Sequence, residues 1–422
     1  MLASPPLGAR AQTAPAERAE LWILAALVFV LPLFEAPKNI LWVLYLLVWL
    51  GNRARSGDFG GRWDLWDTLI AAWIASAALS AAFAGIHHKE WNGALDLLRY
   101  GSVLWLLKRT RLDDRALALV GGALALGAVA ALAHGYWRLE VAQTKRLLEL
   151  KSVGHVNHSA IYLAILLGAA ASTVAAYWRR LGAGGRAAGA ALLALLAVSL
   201  FEMQSRAAIG VAIAFAFLLA LAWWPRSRAV ALATLLAAAA VVAVALVARV
   251  DVVRKHEDRT AEGNVLAYRA QIWNTARAAW QRFPVFGVGM DNYSAIEPEA
   301  VRRWRAEAGK PFDESAFVVK SGHAHSLYYN TLAERGTVGF AALAAVLLAW
   351  AWQLVRRYPG RAGDDRAWAL WGGAFSAWFV TVLAGLGNTS LHSEHALLAM
   401  ILLGLWLADA DRSGHGARDA LT

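Results

Sequence analysis

Cysteine is absent from this chain of 422 residues, which excludes disulfide bonds and thiolate metal sites. Charged residues are also scarce: they make up 17% of the sequence, against about 25% in a typical soluble domain. Hydrophobic residues account for 59% and include 21 tryptophans among the aromatic residues. This composition predicts an integral membrane protein.

Apolar runs of roughly 20 residues recur along the chain, and each is long enough to cross a hydrocarbon core about 30 Å thick. We therefore expect an all-α polytopic membrane protein with about twelve transmembrane helices. A cleavable signal segment is not expected, because no A-x-A site separates the first two apolar runs. The predicted spans are 21–37, 40–51, 68–86, 91–107, 115–134, 157–178, 186–203, 206–224, 227–250, 326–355, 366–386 and 391–409.

The distribution of Lys and Arg predicts the orientation, because basic residues are enriched in short cytoplasmic loops. One set of short loops, which includes both termini, holds 20 basic residues, and the opposite set holds 6. We expect both termini in the cytoplasm and the 251–325 segment on the far side. The chain then divides into nine helices in 1–250, a large loop at 251–325, and three helices with a cytoplasmic tail in 326–422. The net charge of +11 is read as a topology signal, so nucleic-acid binding is not expected.

The large loop is polar but patterned. A helix is predicted from Asn264 to Phe283, because a series of mostly polar residues repeats there every four positions beside an apolar face. Its tryptophans suit a helix lying at a membrane interface. A second, highly charged helix is predicted from Glu297 to Ala308. The repeating residues of the first helix are Arg269, Trp273, Arg277 and Gln281.

Two histidines lie where this loop returns to a long apolar segment. His325 can act as a general base, because an imidazole titrates near neutral pH. A purely structural role for this histidine stays open. In an extended segment His323 would point to the same side, which also suits a metal pair, but no carboxylate follows at a convincing spacing. We expect no metal and no other cofactor.

Two arginines could bind an anion. Arg206 follows a tight turn between two spans, and a guanidinium at membrane depth requires an anionic partner. That partner is either Glu202, four residues back, or a phosphate, whose oxygens match the guanidinium fork. Arg269 equally suits phosphate or lipid headgroups, and the same alternatives apply to Arg277.

Other polar residues are weaker candidates. Arg99 falls midway along the fourth predicted span and requires a partner. Lys320 is close enough to the histidine pair in sequence to provide another anion contact. His155, Asn157 and His158 open the sixth predicted span and are expected to cap its helix. The polar cluster at 388–395 is expected to form a solvated turn or a cavity wall.

Three segments together resemble the O-antigen ligase and polymerase superfamily of bacterial envelope glycosyltransferases. The first is Arg269-x-x-x-Trp273 followed by Phe-Pro-Val-Phe-Gly-Val-Gly at 283–289. The second is His-Ala-His-Ser-Leu-Tyr at 323–328, which we call the histidine segment, and it continues to Ala-Glu-Arg-Gly-Thr-Val-Gly at 333–339. The third is Gln-Ser-Arg at 204–206. Two positions depart from the family pattern: Ser326, where the family often has Asn, and Arg335, where a small polar residue is common.

The resemblance implies a site on the periplasmic face of the bacterial inner membrane. The donor would be a glycan linked through diphosphate to undecaprenol, and the acceptor the lipid A–core oligosaccharide, both among membrane lipids. The positions matching Arg206 and Arg269 would hold the diphosphate, and that matching His325 would deprotonate the acceptor. Transfer would be inverting and independent of metal.

Three alternatives stay open. An O-antigen polymerase or a protein O-oligosaccharyltransferase would use the same donor with another acceptor. A secondary transporter is the alternative of another class, but the repeated halves typical of transporters are not evident in the sequence.

Overall fold

The computed structural model describes residues 15–247, 268–317 and 321–419. Helices make up 75% of the structure, and the described residues contain no strand. The α-helices are α1 Pro15–Val30, α2 Glu35–Ser56, α3 Leu65–Ala82, α4 Glu90–Lys108, α5 Asp114–Tyr136, α6 Val156–Tyr177, α7 Ala183–Glu202, α8 Arg206–Trp223, α9 Arg228–Val247, α10 Arg269–Arg282, α11 Pro298–Glu307, α12 Leu327–Arg356, α13 Asp365–Ala384 and α14 Ser393–Asp419. The predicted all-α class is therefore confirmed.

Seven helices within the described residues are long and apolar enough to cross a membrane. The other five predicted spans also coincide with helices, namely α1, α2, α4, α9 and α14. These five are not among the seven found within the described residues, so the count of twelve spans stays a prediction. The seven are Leu65–Ala82, Asp114–Val141, Val156–Tyr177, Ala183–Glu202, Arg206–Trp223, Leu327–Arg356 and Asp365–Ala384.

The first predicted boundary is wrong. The 21–37 segment is divided by a turn between Val30 and Glu35, around Pro32, whose ring cannot continue the hydrogen-bond ladder of a helix. The second helix therefore starts earlier than expected and includes Lys38, which lies between the first two predicted spans. Lys38 is buried there and forms an ion pair with Glu394.

Helix α6 lies at the centre of the bundle, where α7, α8, α13 and α14 all pack against it. Small residues allow the closest of these contacts. A Cβ atom on Gly168 would overlap the side chain of Ser376, and one on Gly372 would overlap that of Ser172. This close approach of α6 and α13 is the packing that membrane helices use.

Helix α12 is broken near its start. Gly336 has φ 60° and ψ −160°, a conformation that only glycine adopts without strain. The 283–289 segment runs alongside the break and replaces lost helical hydrogen bonds with backbone bonds. These bonds run from Val288 N to Ala333 O at 2.8 Å, from Gly289 N to Glu334 O at 2.9 Å, from Thr337 N to Pro284 O at 2.8 Å and from Val338 N to Val285 O at 3.2 Å. Two motif segments thus form one structural unit.

The helices of the large loop differ little from expectation. The first begins at Arg269, because Tyr268 adopts a left-handed conformation with φ 61°. Residues 264–267 lie outside the described residues. The second, Pro298–Glu307, confirms the predicted charged helix.

Candidate functional site

The histidine segment lies directly before α12. Ser326 caps this helix: its Oγ accepts from the Tyr329 N–H at 3.4 Å and donates to the Gly385 carbonyl at 3.2 Å. His325 has a positive φ of 46°, so the segment is not extended at this residue. The bend still places the imidazoles of His323 and His325 side by side, with ring centroids 4.2 Å apart.

Arg269, the first residue of α10, reaches across to the connection between α13 and α14. Its Nε donates to the Gly387 carbonyl at 2.9 Å. Four residues on, the Trp273 ring stacks on Tyr329 of α12 with centroids 5.4 Å apart. Helix α10 is therefore fixed both to α12 and to this connection.

Residues 385–392 form this connection, which we call the 385–392 turn. It holds the histidine segment as well: the Gly385 carbonyl accepts from the Leu327 N–H at 2.8 Å, and Thr389 Oγ1 contacts His323 Nδ1 at 2.9 Å. With Gly387 bound to Arg269, a few consecutive residues position both an arginine and the histidine pair.

The turn that carries Arg206 is tied to the same region through α6. Ser205 Oγ donates to Asn157 Oδ1 at 3.1 Å, and the half-buried Arg206 begins α8. One residue after Asn157, the ring centroid of His158 lies 5.4 Å from that of His323. The segments of the three principal predicted residues therefore meet at one end of the bundle.

Helices α6, α8, α10, α12 and α14 all begin at this end. The N-terminus of a helix carries unpaired N–H groups and roughly half a positive charge. Several such ends gathered beside two arginines form a region that favours an anion.

His323 and His325 are held in the neutral form. Burial lowers the pKa of His325 to about 4, and the charges of Arg269 and His155 act in the same direction. Burial, followed by the neighbouring histidines, lowers the pKa of His323 to about 2. At neutral pH the His325 ring is therefore unprotonated and able to accept a proton.

Comparison with known protein families gives a match to part of the chain. Residues 190–344 match the model of the O-antigen ligase family, and this region includes Arg206, Arg269 and His325. The resemblance to the O-antigen ligase and polymerase superfamily is confirmed. No curated protein matches the chain. The match supports a glycosyltransferase-type activity on lipid-linked glycans in a membrane.

The two departures from the family pattern have structural explanations. Ser326 supplies the cap of α12, a role that Asn also performs well. Arg335 is buried next to the break in α12, where its Nη2 donates to Ser76 Oγ of α3 at 2.6 Å. Neither side chain is part of the predicted chemistry of the superfamily.

The weaker candidates fall in different places. Arg277 is exposed and donates to Asn274 Oδ1 at 2.6 Å, so it does not join the site. Arg99 has the partners that its position demands, since it donates to Asp96 at 2.7 Å and to Asn39. Lys320 lies outside the described residues. Within the described residues no group of histidine and carboxylate side chains is arranged to hold a metal ion.

Sequence reasoning missed the role of the 385–392 turn. Its polar residues were noted only as a solvated turn or a cavity wall, yet Asn388 and Thr389 are buried. The predicted capping role of His155 is confirmed, because its Nδ1 accepts from the Asn157 N–H at 3.2 Å. A density of polar residues between two apolar helices was the only available signal for the turn.

Proposed function

We propose that this protein is an inverting, metal-independent glycosyltransferase. It moves an O-antigen glycan from undecaprenyl diphosphate to the lipid A–core oligosaccharide at the periplasmic face of the inner membrane. The observation that carries the proposal is that Arg269 and His323, whose ring packs against that of His325, contact the same short turn. A fixed cation and a neutral imidazole are thereby placed at the rim of the bundle.

The donor diphosphate lies between Arg206 and Arg269 in this proposal. Guanidinium groups match phosphate oxygens with two parallel hydrogen bonds, and their charge is permanent. The surrounding helix N-termini add to the positive potential. The undecaprenyl chain lies among the apolar helices below.

His325 acts as the general base. An acceptor hydroxyl gives its proton to His325 while its oxygen forms a bond to the anomeric carbon of the donor sugar. The bond from that carbon to the phosphate oxygen breaks, and its electron pair stays on the departing diphosphate. Attack opposite the leaving group inverts the anomeric configuration, and the two arginines stabilise the charge that develops on the phosphate.

The charge of the bound donor also adjusts the base. Arg269 lowers the pKa of His325 in the free protein. A diphosphate beside Arg269 offsets that positive charge and favours the protonated imidazole. Burial remains the larger cause of the lowered pKa, but the pKa of His325 rises above its value in the free protein when the donor is present, which favours proton transfer to it.

Reconstitution with a lipid-linked glycan and a defined lipopolysaccharide core tests the function. Glycan attached to the core by the wild-type protein, and not by His325→Ala, is the expected result. Glycan that lengthens without attachment to the core would instead identify a polymerase. If the correctly inserted protein forms neither product, the proposal is contradicted.

A further inference from the structure

Asn388 lies in the middle of the 385–392 turn, between the residues that contact Arg269 and His323. Its neighbour Gly387 accepts from Arg269 at 2.9 Å, and its other neighbour Thr389 contacts His323 at 2.9 Å. Asn388 is only 1% exposed. Among the described residues neither its Oδ1 nor its Nδ2 finds a hydrogen-bond partner.

A fully unpaired amide is unusual at such depth, because buried polar groups in folded proteins are nearly always hydrogen-bonded. Leaving both ends of a carboxamide unpaired opposes folding. An asparagine at this position is therefore explained by a partner from outside the chain, which is ordered water in the free protein and a ligand group that displaces this water in the complex.

Two side chains that follow the turn share this property. Glu394 uses Oε1 to bind Lys38 and to accept from Ser152 at 2.6 Å, while its Oε2 is buried without a partner in the described structure. His395 Nε2 lies 3.1 Å from the Thr389 carbonyl, and its buried Nδ1 is likewise without a partner there. Each group has one side fixed by the protein and one side unused.

The unused atoms define the chemistry of the missing partner. A carbonyl can only accept, so Nε2 of His395 carries the hydrogen and Nδ1 of the neutral ring is an acceptor. Carboxylate Oε2 and amide Oδ1 are acceptors too, and amide Nδ2 is the one donor of the set. A phosphate only accepts at neutral pH and does not fit. A sugar hydroxyl both donates and accepts, so it fits.

We propose that Asn388, with Glu394 and His395, binds the hydroxyl groups of a sugar ring at the reaction centre. This inference rests on the proposed glycosyltransferase function. The ring belongs either to the first sugar of the donor, next to the diphosphate, or to the acceptor sugar that His325 deprotonates. Both sources present the same hydroxyl chemistry. They differ in whether the affinity for the donor or the affinity for the acceptor depends on Asn388.

The test is Asn388→Leu, which keeps the number and branching of the side-chain heavy atoms and removes both polar atoms. Binding to the purified protein in nanodiscs is measured for undecaprenyl-diphosphate-linked glycan, for undecaprenyl diphosphate alone, and for lipopolysaccharide core. Loss of two neutral hydrogen bonds weakens binding of the sugar-bearing ligand roughly 5- to 30-fold. If the donor supplies the ring, only the glycan-linked lipid is affected. If the acceptor supplies it, only the core is affected.

Asn292→Leu is the matched control. Asn292 is equally buried, but its Nδ2 donates to the carbonyls of Ile86 at 2.6 Å and Val288 at 3.1 Å, and its Oδ1 accepts from the Lys89 N–H at 2.7 Å. The control substitution should lower the melting temperature, because it breaks these bonds. Asn388→Leu should leave the melting temperature unchanged or raise it, since it breaks none.

Two results overturn the inference: unchanged affinity for both sugar-bearing ligands, or a loss of thermal stability with Asn388→Leu as large as with Asn292→Leu. Wild-type protein that binds the glycan lipid without transferring it refutes the proposed function, while the affinity comparison still decides on Asn388. Wild-type protein that binds neither ligand refutes both.

Discussion

A Cβ atom on Gly336 would overlap the carbonyl oxygen of Val285. The contact joins the break in α12 to the loop segment that follows α10. Because α10 begins with Arg269 and α12 is preceded by His325, the contact fixes the two functional segments relative to each other.

Gly336→Ala should therefore destabilise the protein by about 2 kcal/mol or more. A residue with a Cβ atom is strained at this positive φ, and the Cβ would also overlap a backbone carbonyl oxygen. Gly121→Ala is the matched control: this glycine lies in α5 with open space around it, and alanine there favours the helix. Melting temperatures in detergent measure both effects. Equal stability of the two variants would contradict the structural role of the break.

His325→Ala should reduce glycan transfer roughly 10²- to 10⁴-fold, which is the usual contribution of a general base. His88→Ala, in an exposed loop, should leave the rate unchanged. The measurement is initial rate in proteoliposomes, with insertion checked for each variant. Full activity of His325→Ala would remove the base assignment.

The pH profile reports the state of the same residue. A pKa of about 4 keeps His325 neutral and competent at any higher pH, and protonation removes the base only as the pH falls through that value. We expect kcat/KM, which reflects the free enzyme, to show no decline between pH 8 and 6 from His325. A decline centred on the ordinary histidine pKa, and absent from His325→Ala, would show that burial and Arg269 do not act as described.

Arg206→Lys and Arg269→Lys should each weaken use of the donor roughly 10- to 100-fold, because a point charge does not replace a two-pronged contact with phosphate. Arg277→Lys is the control on the same helix as Arg269, and it should behave like wild type. The donor KM and kcat are measured for each variant. Wild-type values for the Arg206 and Arg269 variants would argue against phosphate binding by these residues.

Chelation should leave transfer intact, because the two guanidinium groups neutralise the diphosphate in the proposed mechanism. Transfer is measured with and without EDTA, and then with added Mg²⁺. If EDTA abolishes transfer and added Mg²⁺ restores it, the reaction requires a metal ion and the proposed mechanism is wrong.

Much of this architecture was predictable from local patterns. Apolar runs mark the helices, and the histidine segment identifies the entry into α12 because it is short, polar and followed by a long apolar run. The charged helix Pro298–Glu307 was predicted to within a residue at each end.

The break at Gly336 and the role of the 385–392 turn were not predictable in the same way. Gly336 stands in a sequence that continues as a helix on both sides, and only the approach of a distant loop interrupts it. The contact of Thr389 with His323 joins residues 66 positions apart. Single-sequence patterns report on neighbours along a chain, so contacts of this kind stay hidden.

The turn that positions Arg269 and His323 lies beyond residue 344, where the family match ends. A fragment cut to the matched region would keep the arginines and histidines but lose their anchor. With Asn388 as the proposed sugar ligand, exchange of the last two helices between relatives, with the rest of each chain kept, should alter which glycan is bound while the reacting groups stay the same.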